Sequence, residues 1–337
     1  MKTINYSNNS QKQAYLNEFK GNLFEFSLAH YISKKYSLES QFLDTCDKNY
    51  LVQMKSYESQ IRSLDRDLIK ILPEFTEKTF DTLKNFLPKK LNSVEVLGKV
   101  DEGKSKLDKK ETDILLTSFD NQKIPLSLKL GKYGSFVNTK SGGVKSFLSK
   151  YFGCLENAHI KQEELNLFIE DKFQTCCEEL HNWADLEFRG SFDERWSQKG
   201  LPHLPGKLPI EAREILFRYY HEIIKFIYEY FNIMINEDSQ KFASCLSRLI
   251  GLANEEMIQV MCFHVKDKDE KSFFKDVKVT KANHLIDQLN NFTLLPLQEN
   301  LASFEIQLNH CILQVRVKPM NSFHQASLKV NCSIKCI

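Results

Sequence analysis

The chain has 337 residues, 42% of them hydrophobic and 27% charged, with a formal net charge of +2. This length accommodates one large domain or a core with a second lobe, and the composition is ordinary for a globular chain. It excludes a membrane-spanning segment, because no stretch is long and apolar enough. The polar start (MKTINYSNNSQKQ) lacks the apolar run of a signal peptide, so a cytoplasmic location is expected. Nine cysteines occur without a CxxC pair. That spacing argues against a thiolate zinc knuckle, and the odd count predicts reduced thiols. Cys177 and His181, four apart, lack a second ligand pair and read as helix packing.

In chain order, Ala14, Tyr15, Phe19, Leu23, Phe26 and Tyr31 recur at helical spacing and predict a helix over 12–37 that contains Glu25. Two further helices are expected over 57–72 and 74–87, divided at Pro73 and ended at Pro88. Val94, Val96 and Val100 mark a strand, followed by a charged loop over 100–111. Ile114–Phe119 and Ile124–Leu130 read as strands of an antiparallel hairpin closed by Asp120–Lys123. After Gly131 and Gly134, the segment 138–143 (NTKSGG) leads into a helix ending near Tyr151.

An acidic helix is expected over 161–187. The Gly- and Pro-rich stretch 188–209 reads as a long loop or lobe boundary. An aromatic helix over 210–235 carries Tyr219, Tyr220, Tyr230 and Phe231 and reads as buried. Strands are expected at Met257–Val265, Phe304–Leu308, Ile312–Val317 and Leu328–Lys335.

The hairpin carries the chemistry. Pairing Phe119 with Ile124 sets Asp113 opposite Leu130, one level from Lys129. Ser127 and Lys129 share a strand face, and a bulge or small shift is needed to bring Asp113 onto it. Leu126, Leu128 and Leu130 occupy the other face. A carboxylate beside a lysine suits metal-assisted hydrolysis of a phosphodiester. The carboxylate holds a hard divalent cation, and the lysine orients a water or stabilises developing charge. Lysines crowd between Lys99 and Lys150, and a local basic surface binds phosphates even in a near-neutral chain.

The order of a helix with Glu25, a strand, the Asp113 strand, the Ser127-Leu128-Lys129 strand and a basic helix resembles the PD-(D/E)xK nuclease superfamily over roughly residues 15–152. Ser127-Leu128-Lys129 with Asn138–Phe147, and the run Val315–Asn321, are similar to segments of bacterial type II restriction endonucleases of the HaeIII-like kind. The resemblance implies an α/β (α+β) fold with a restriction-endonuclease-like mixed sheet core flanked by helices, and a largely helical second lobe. It implies a nuclease core over 1–155, a mostly helical lobe over 156–300 that clamps DNA or dimerises, and a C-terminal β segment over 301–337.

The implied activity is magnesium-dependent hydrolysis of double-stranded DNA at a specific site by a homodimer, with a DNA methyltransferase expected from the neighbouring gene. Asp113, Lys129, Ser127 and Glu25 are the implied catalytic residues, with Asp113 and Glu25 on the metal. Asn138, Thr139, Lys140, Lys145 and Lys150 are expected on the DNA backbone, the helix start adding its N–H groups. Arg316, Lys318 and Asn321 are expected on base edges or phosphates, against the alternative of solvated charge on an edge strand. Thr112 replaces the usual proline and Ser127 the usual acid, so a second carboxylate must come from elsewhere: Glu25 first, then Glu111 or Glu156. Three other readings remain: a defence or repair nuclease without sequence specificity, an inactive DNA-binding or effector-type protein of this fold, and a structural helical interaction protein, which accounts for 155–300 but not for the hairpin.

Overall fold

The computed structural model describes residues 9–97, 112–133, 137–250, 256–266, 272–281, 289, 291–320 and 322–336. The elements run α1 (Asn9–Lys35), α2 (Glu39–Thr45), α3 (Lys48–Leu64), α4 (Arg66–Leu83), β1 (Leu91–Val96), β2 (Ile114–Ser118), β3 (Lys123–Lys132), β4 (Val137–Gly143), α5 (Phe147–Phe152), α6 (Ala158–Trp183) and α7 (Glu194–Gln198). They continue with α8 (Ile210–Glu237), α9 (Ser239–Leu249), β5 (Ile258–Lys266), β6 (Ser272–Lys281), β7 (Thr293–Leu294), β8 (Ser303–Gln307), β9 (Cys311–Pro319) and β10 (Leu328–Cys336). The chain is mixed α and β, as the α+β class requires. Among the described residues no helix is long and apolar enough to cross a membrane.

Two compact units form, and neither follows the boundaries expected from sequence. The first joins residues 1–135 to 254–285, and the second joins 136–253 to 286–337. Strand pairing is the reason. The chain leaves the first sheet after β3, builds most of the second unit, and returns as β5 parallel to β3. A parallel pair needs a long crossover, and here the crossover is itself a folded body. The C-terminal strands pair with β4, so 301–337 belongs with 136–253.

In the first unit the sheet order is β1-β2-β3-β5-β6, antiparallel except for β3 with β5. Ile114, Leu116, Leu126, Leu128, Ile258, Val260 and Cys262 alternate onto one face and are buried in a core with Phe24, Leu28, Ile32, Leu72 and Phe75 of α1 and α4. The expected helix break at Pro73 lies instead at Asp65, whose side chain accepts from Leu68 N at 3.0 Å and caps α4. Pro73 sits inside α4, where an interior proline costs about 3 kcal/mol. The stripe Leu68, Leu72, Phe75, Phe80 and Leu83 runs through it, and its burial offsets that cost.

The second unit has a five-stranded antiparallel sheet, β4-β10-β9-β8-β7. Aromatic rings fill its core. Phe231 of α8 meets Phe152, Phe242 and Phe304 at ring-centroid distances of 4.6, 5.0 and 5.5 Å. Tyr219, Tyr220 and Tyr230 are buried, in line with the packing reading of the aromatic helix. Cys154 and Cys245 are brought side by side, with Cα atoms 7.3 Å apart. The two residues are 91 apart in sequence and meet only because α5 packs on α9.

The stretch 188–209 is no lobe boundary. It folds onto the C-terminal end of α6 and the β9–β10 connection. Trp196 is fully buried, with its indole N–H on Pro202 O at 3.2 Å. Around it lie His181, Phe192, Phe323 and His324. His181 Nδ1 meets Cys177 O at 2.7 Å, the packing role expected of that pair.

Burial and the neighbouring His203 and His181 pull His324 down to about 4. A histidine depressed in the folded state is charged in the unfolded chain between about pH 6.5 and 4, so stability falls as pH drops through that window. Because His324 is partly solvated, the loss is discounted to about 1 kcal/mol between pH 7 and 5. Melting curves of the native chain and His324→Gln at both pH values check this, the variant losing less.

Candidate active site

The hairpin closes in a different register from the one expected. Ile114 pairs with Leu126 and Leu116 with Ile124. Ser118 N donates to Gln122 O at 3.0 Å, and Asn121 takes a positive φ of 64°. The loop therefore begins before Phe119, and the true register places Asp113 level with Ser127 rather than Leu130. Cross-strand partners share a face, so Asp113, Ser127 and Lys129 lie together on the face opposite the helix-packed core, with no bulge required.

Asp113 is fastened from both sides. Its N–H donates to Leu126 O at 2.8 Å, and its carbonyl accepts from Leu97 N at 3.0 Å. Its Oδ2 accepts from Leu128 N at 2.6 Å. Burial raises the carboxyl above the usual carboxylate range, against the lowering effects of the Lys129 charge, the Leu128 N–H and the Ser127 hydroxyl. Lys129 is exposed, so its ammonium stays hydrated beside a partly buried acid.

Of this trio only the Asp113 carboxylate is a strong oxygen ligand for a hard divalent cation. A positive charge at Asp113 would also relieve the desolvation that opposes its ionised form. Among the described residues, no three His, Cys, Asp or Glu side chains form a group able to hold a metal on their own.

Since burial disfavours the ionised Asp113, Asp113→Asn should raise the melting temperature of the metal-free chain at neutral pH. The amide still offers an oxygen to Leu128 N–H. Magnesium should raise the melting temperature of the native chain and leave that of Asp113→Asn unmoved.

Glu25 lies on α1 beside Tyr50 of α3, and it is among the charges that, after burial, push the Tyr50 hydroxyl up. Phe24, Leu28 and Ala29 of the same helix pack on the apolar side of the sheet. Sequence reasoning missed Glu95. It pairs with Leu115, so it stands on the Asp113 face one diagonal step away, and it accepts from Ser93 Oγ at 3.2 Å. The alternation of Ser93 and Glu95 with Val94 and Val96 was the available signal. Glu111 lies outside the described residues, and Glu156 is exposed in the second unit.

The expected DNA-contact residues divide. Residues 138–143 form β4 rather than a lead into a helix, pairing with β10 through Asn138, Ser141, Gly142 and Gly143. Thr139 and Lys140 lie on the same strand. The start of α5 does not offer its N–H groups to a phosphate, because Gln162 Oε1 accepts from Leu148 N at 2.7 Å and Ser149 N at 3.4 Å. Lys145 is paired with Glu170 of α6, and the Lys150 ammonium lies over the Tyr151 ring, 5.1 Å from the centroid. Arg316 and Lys318 are on β9, an interior strand, which removes the edge-strand reading of their charge. Asn321 lies outside the described residues.

No family model, curated protein or solved structure matches the chain.

Proposed function

We propose that the first unit is a metal-dependent nuclease core of the PD-(D/E)xK type, and that the protein is a type II restriction endonuclease cutting double-stranded DNA at a specific site. The observation that carries this reading is the common face of Asp113, Ser127 and Lys129 on adjacent antiparallel strands, after a helix and a first strand in chain order. Its reverse face is wholly apolar, so the polar trio is not a by-product of a strand exposed on both sides.

In this reading Asp113 would hold magnesium, with Glu95 on the same sheet face as the second carboxylate, because α1 and its Glu25 pack against the opposite, apolar face. The bound ion supplies Lewis-acid polarisation of a phosphoryl oxygen. Lys129, exposed beside Asp113, donates to the attacking water or to the developing charge on the phosphate. Ser127 holds the Asp113 carboxylate by its hydroxyl and so orients the metal-binding oxygen. A homodimer would match protein symmetry to a two-fold symmetric site.

The test is incubation with plasmid DNA and magnesium, with EDTA as control. Discrete fragments support site-specific cleavage, whereas a smear supports a nuclease without sequence preference. One observation favours a second reading, a DNA-binding protein that kept the fold. Ser127 stands where an acid would otherwise hold metal, and intact plasmid under every divalent metal would select it.

A further inference from the structure

β9 and β10 run antiparallel through the middle of the second unit's sheet, and their register aligns three cations. Lys318 is directly opposite Lys329, and Arg316 is opposite Asn331. Cross-strand partners share a face, and residues two apart on a strand share it too. Arg316, Lys318 and Lys329 therefore stand on one face. The other face, with Val315, Val317, Leu328 and Val330, is buried. The next position in the Lys318–Lys329 row is Gly143 of β4, a bare backbone position where a Cβ would meet nothing within 4 Å.

Like charges directly opposed in a sheet are destabilising, so this row costs the fold something. Among the described residues none of the three is ion-paired with a carboxylate. Glu305 of β8, on the same face by register, is approached by Gln314 Nε2 at 3.4 Å. Burial, and then the charges of Lys329 and Arg316, pull Lys318 below the usual lysine range. Among the described residues the cations therefore face one another with no ion-paired acid, Glu305 being the one carboxylate on that face by register, and an anion would complete the row.

We propose that Arg316, Lys318 and Lys329 form a phosphate-binding row that grips the backbone of double-stranded DNA. This rests on the reading that DNA is the substrate, and it adds Lys329, which the sequence did not single out. Along β9 the two cations are about 7 Å apart, and across to β10 the spacing is about 5 Å. That geometry meets phosphate oxygens, not one base edge, so its contribution should be independent of sequence.

The experiment measures binding of a labelled duplex by fluorescence anisotropy, without divalent metal, between 50 and 200 mM salt. Each neutralised phosphate contributes a slope of about −0.9 to log affinity against log salt. Lys318→Gln with Lys329→Gln should flatten the native slope by about 1.8, so the native chain loses about tenfold more affinity than the variant across that range. The double Lys→Arg variant should restore the native slope, which a merely structural role would not require.

Identical affinities and slopes in the native chain and the Gln variant overturn the proposal. If the native chain binds with the steeper slope but cuts no plasmid under any metal, the row stands and the nuclease reading falls. If it cuts while the slopes coincide, the row alone falls.

Discussion

Asp113→Ala is expected to lower magnesium-dependent plasmid cleavage by roughly 10³-fold or more, and Lys129→Ala by about 10²–10³-fold. The two losses have different causes. Asp113 is the carboxylate that the Leu128 N–H and the Ser127 hydroxyl hold in one position, so on the proposed function its removal would take away the anchor for the cation. Lys129 is exposed and, on the proposed function, would contribute charge to the reacting phosphate, so its variant should keep both fold and metal response. Magnesium should still shift the melting temperature of Lys129→Ala but not that of Asp113→Ala. A cleavage rate equal to native in either variant would remove the site from this face of the sheet. Glu95→Ala should then weaken the magnesium shift, and Glu25→Ala, on the helix packed against the opposite face, should leave it unchanged.

The largest stability effect is expected at Trp196. Truncating a fully buried Trp to Ala costs about 3–5 kcal/mol in lost transfer and cavity energy. At this site it also removes the indole N–H from Pro202 O and leaves four rings without their common neighbour. For a body of this size, that loss corresponds to a fall of roughly 10 °C in the melting temperature of the second unit. Calorimetry should show the transition of that unit moving, and Trp196→Phe should recover part of the loss by refilling most of the volume. A variant that melts with the native chain would mean that the 188–209 stretch is peripheral, as its Gly and Pro content first indicates.

That stretch illustrates how composition misleads. Gly190, Gly200, Pro202, Pro205 and Pro209 break long helices and strands, and only the short α7 around Trp196 and a 3-10 turn at Pro205–Lys207 form there. Composition does not indicate burial, because Trp196 is covered by Phe323 and His324 from more than a hundred residues away. The unit boundaries were hidden for a related reason. Neither the parallel pairing of β3 with β5 nor the antiparallel pairing of β4 with β10 leaves a local mark, since each strand's periodicity is the same whichever partner it finds.

Local pattern alone determined the long amphipathic helices, the alternating strands of the hairpin and C-terminus, and the singling out of Asp113, Ser127 and Lys129. Spacings of two and of three to four residues record which side of an element is buried, and the chain carries them directly. Tertiary structure decided the rest. The loop length set by Ser118 and Asn121 moved Asp113 level with Ser127, and the sheet order brought Lys329 opposite Lys318. A register is a relation between two strands, and its energy lies in bonds that exist only once both are in place.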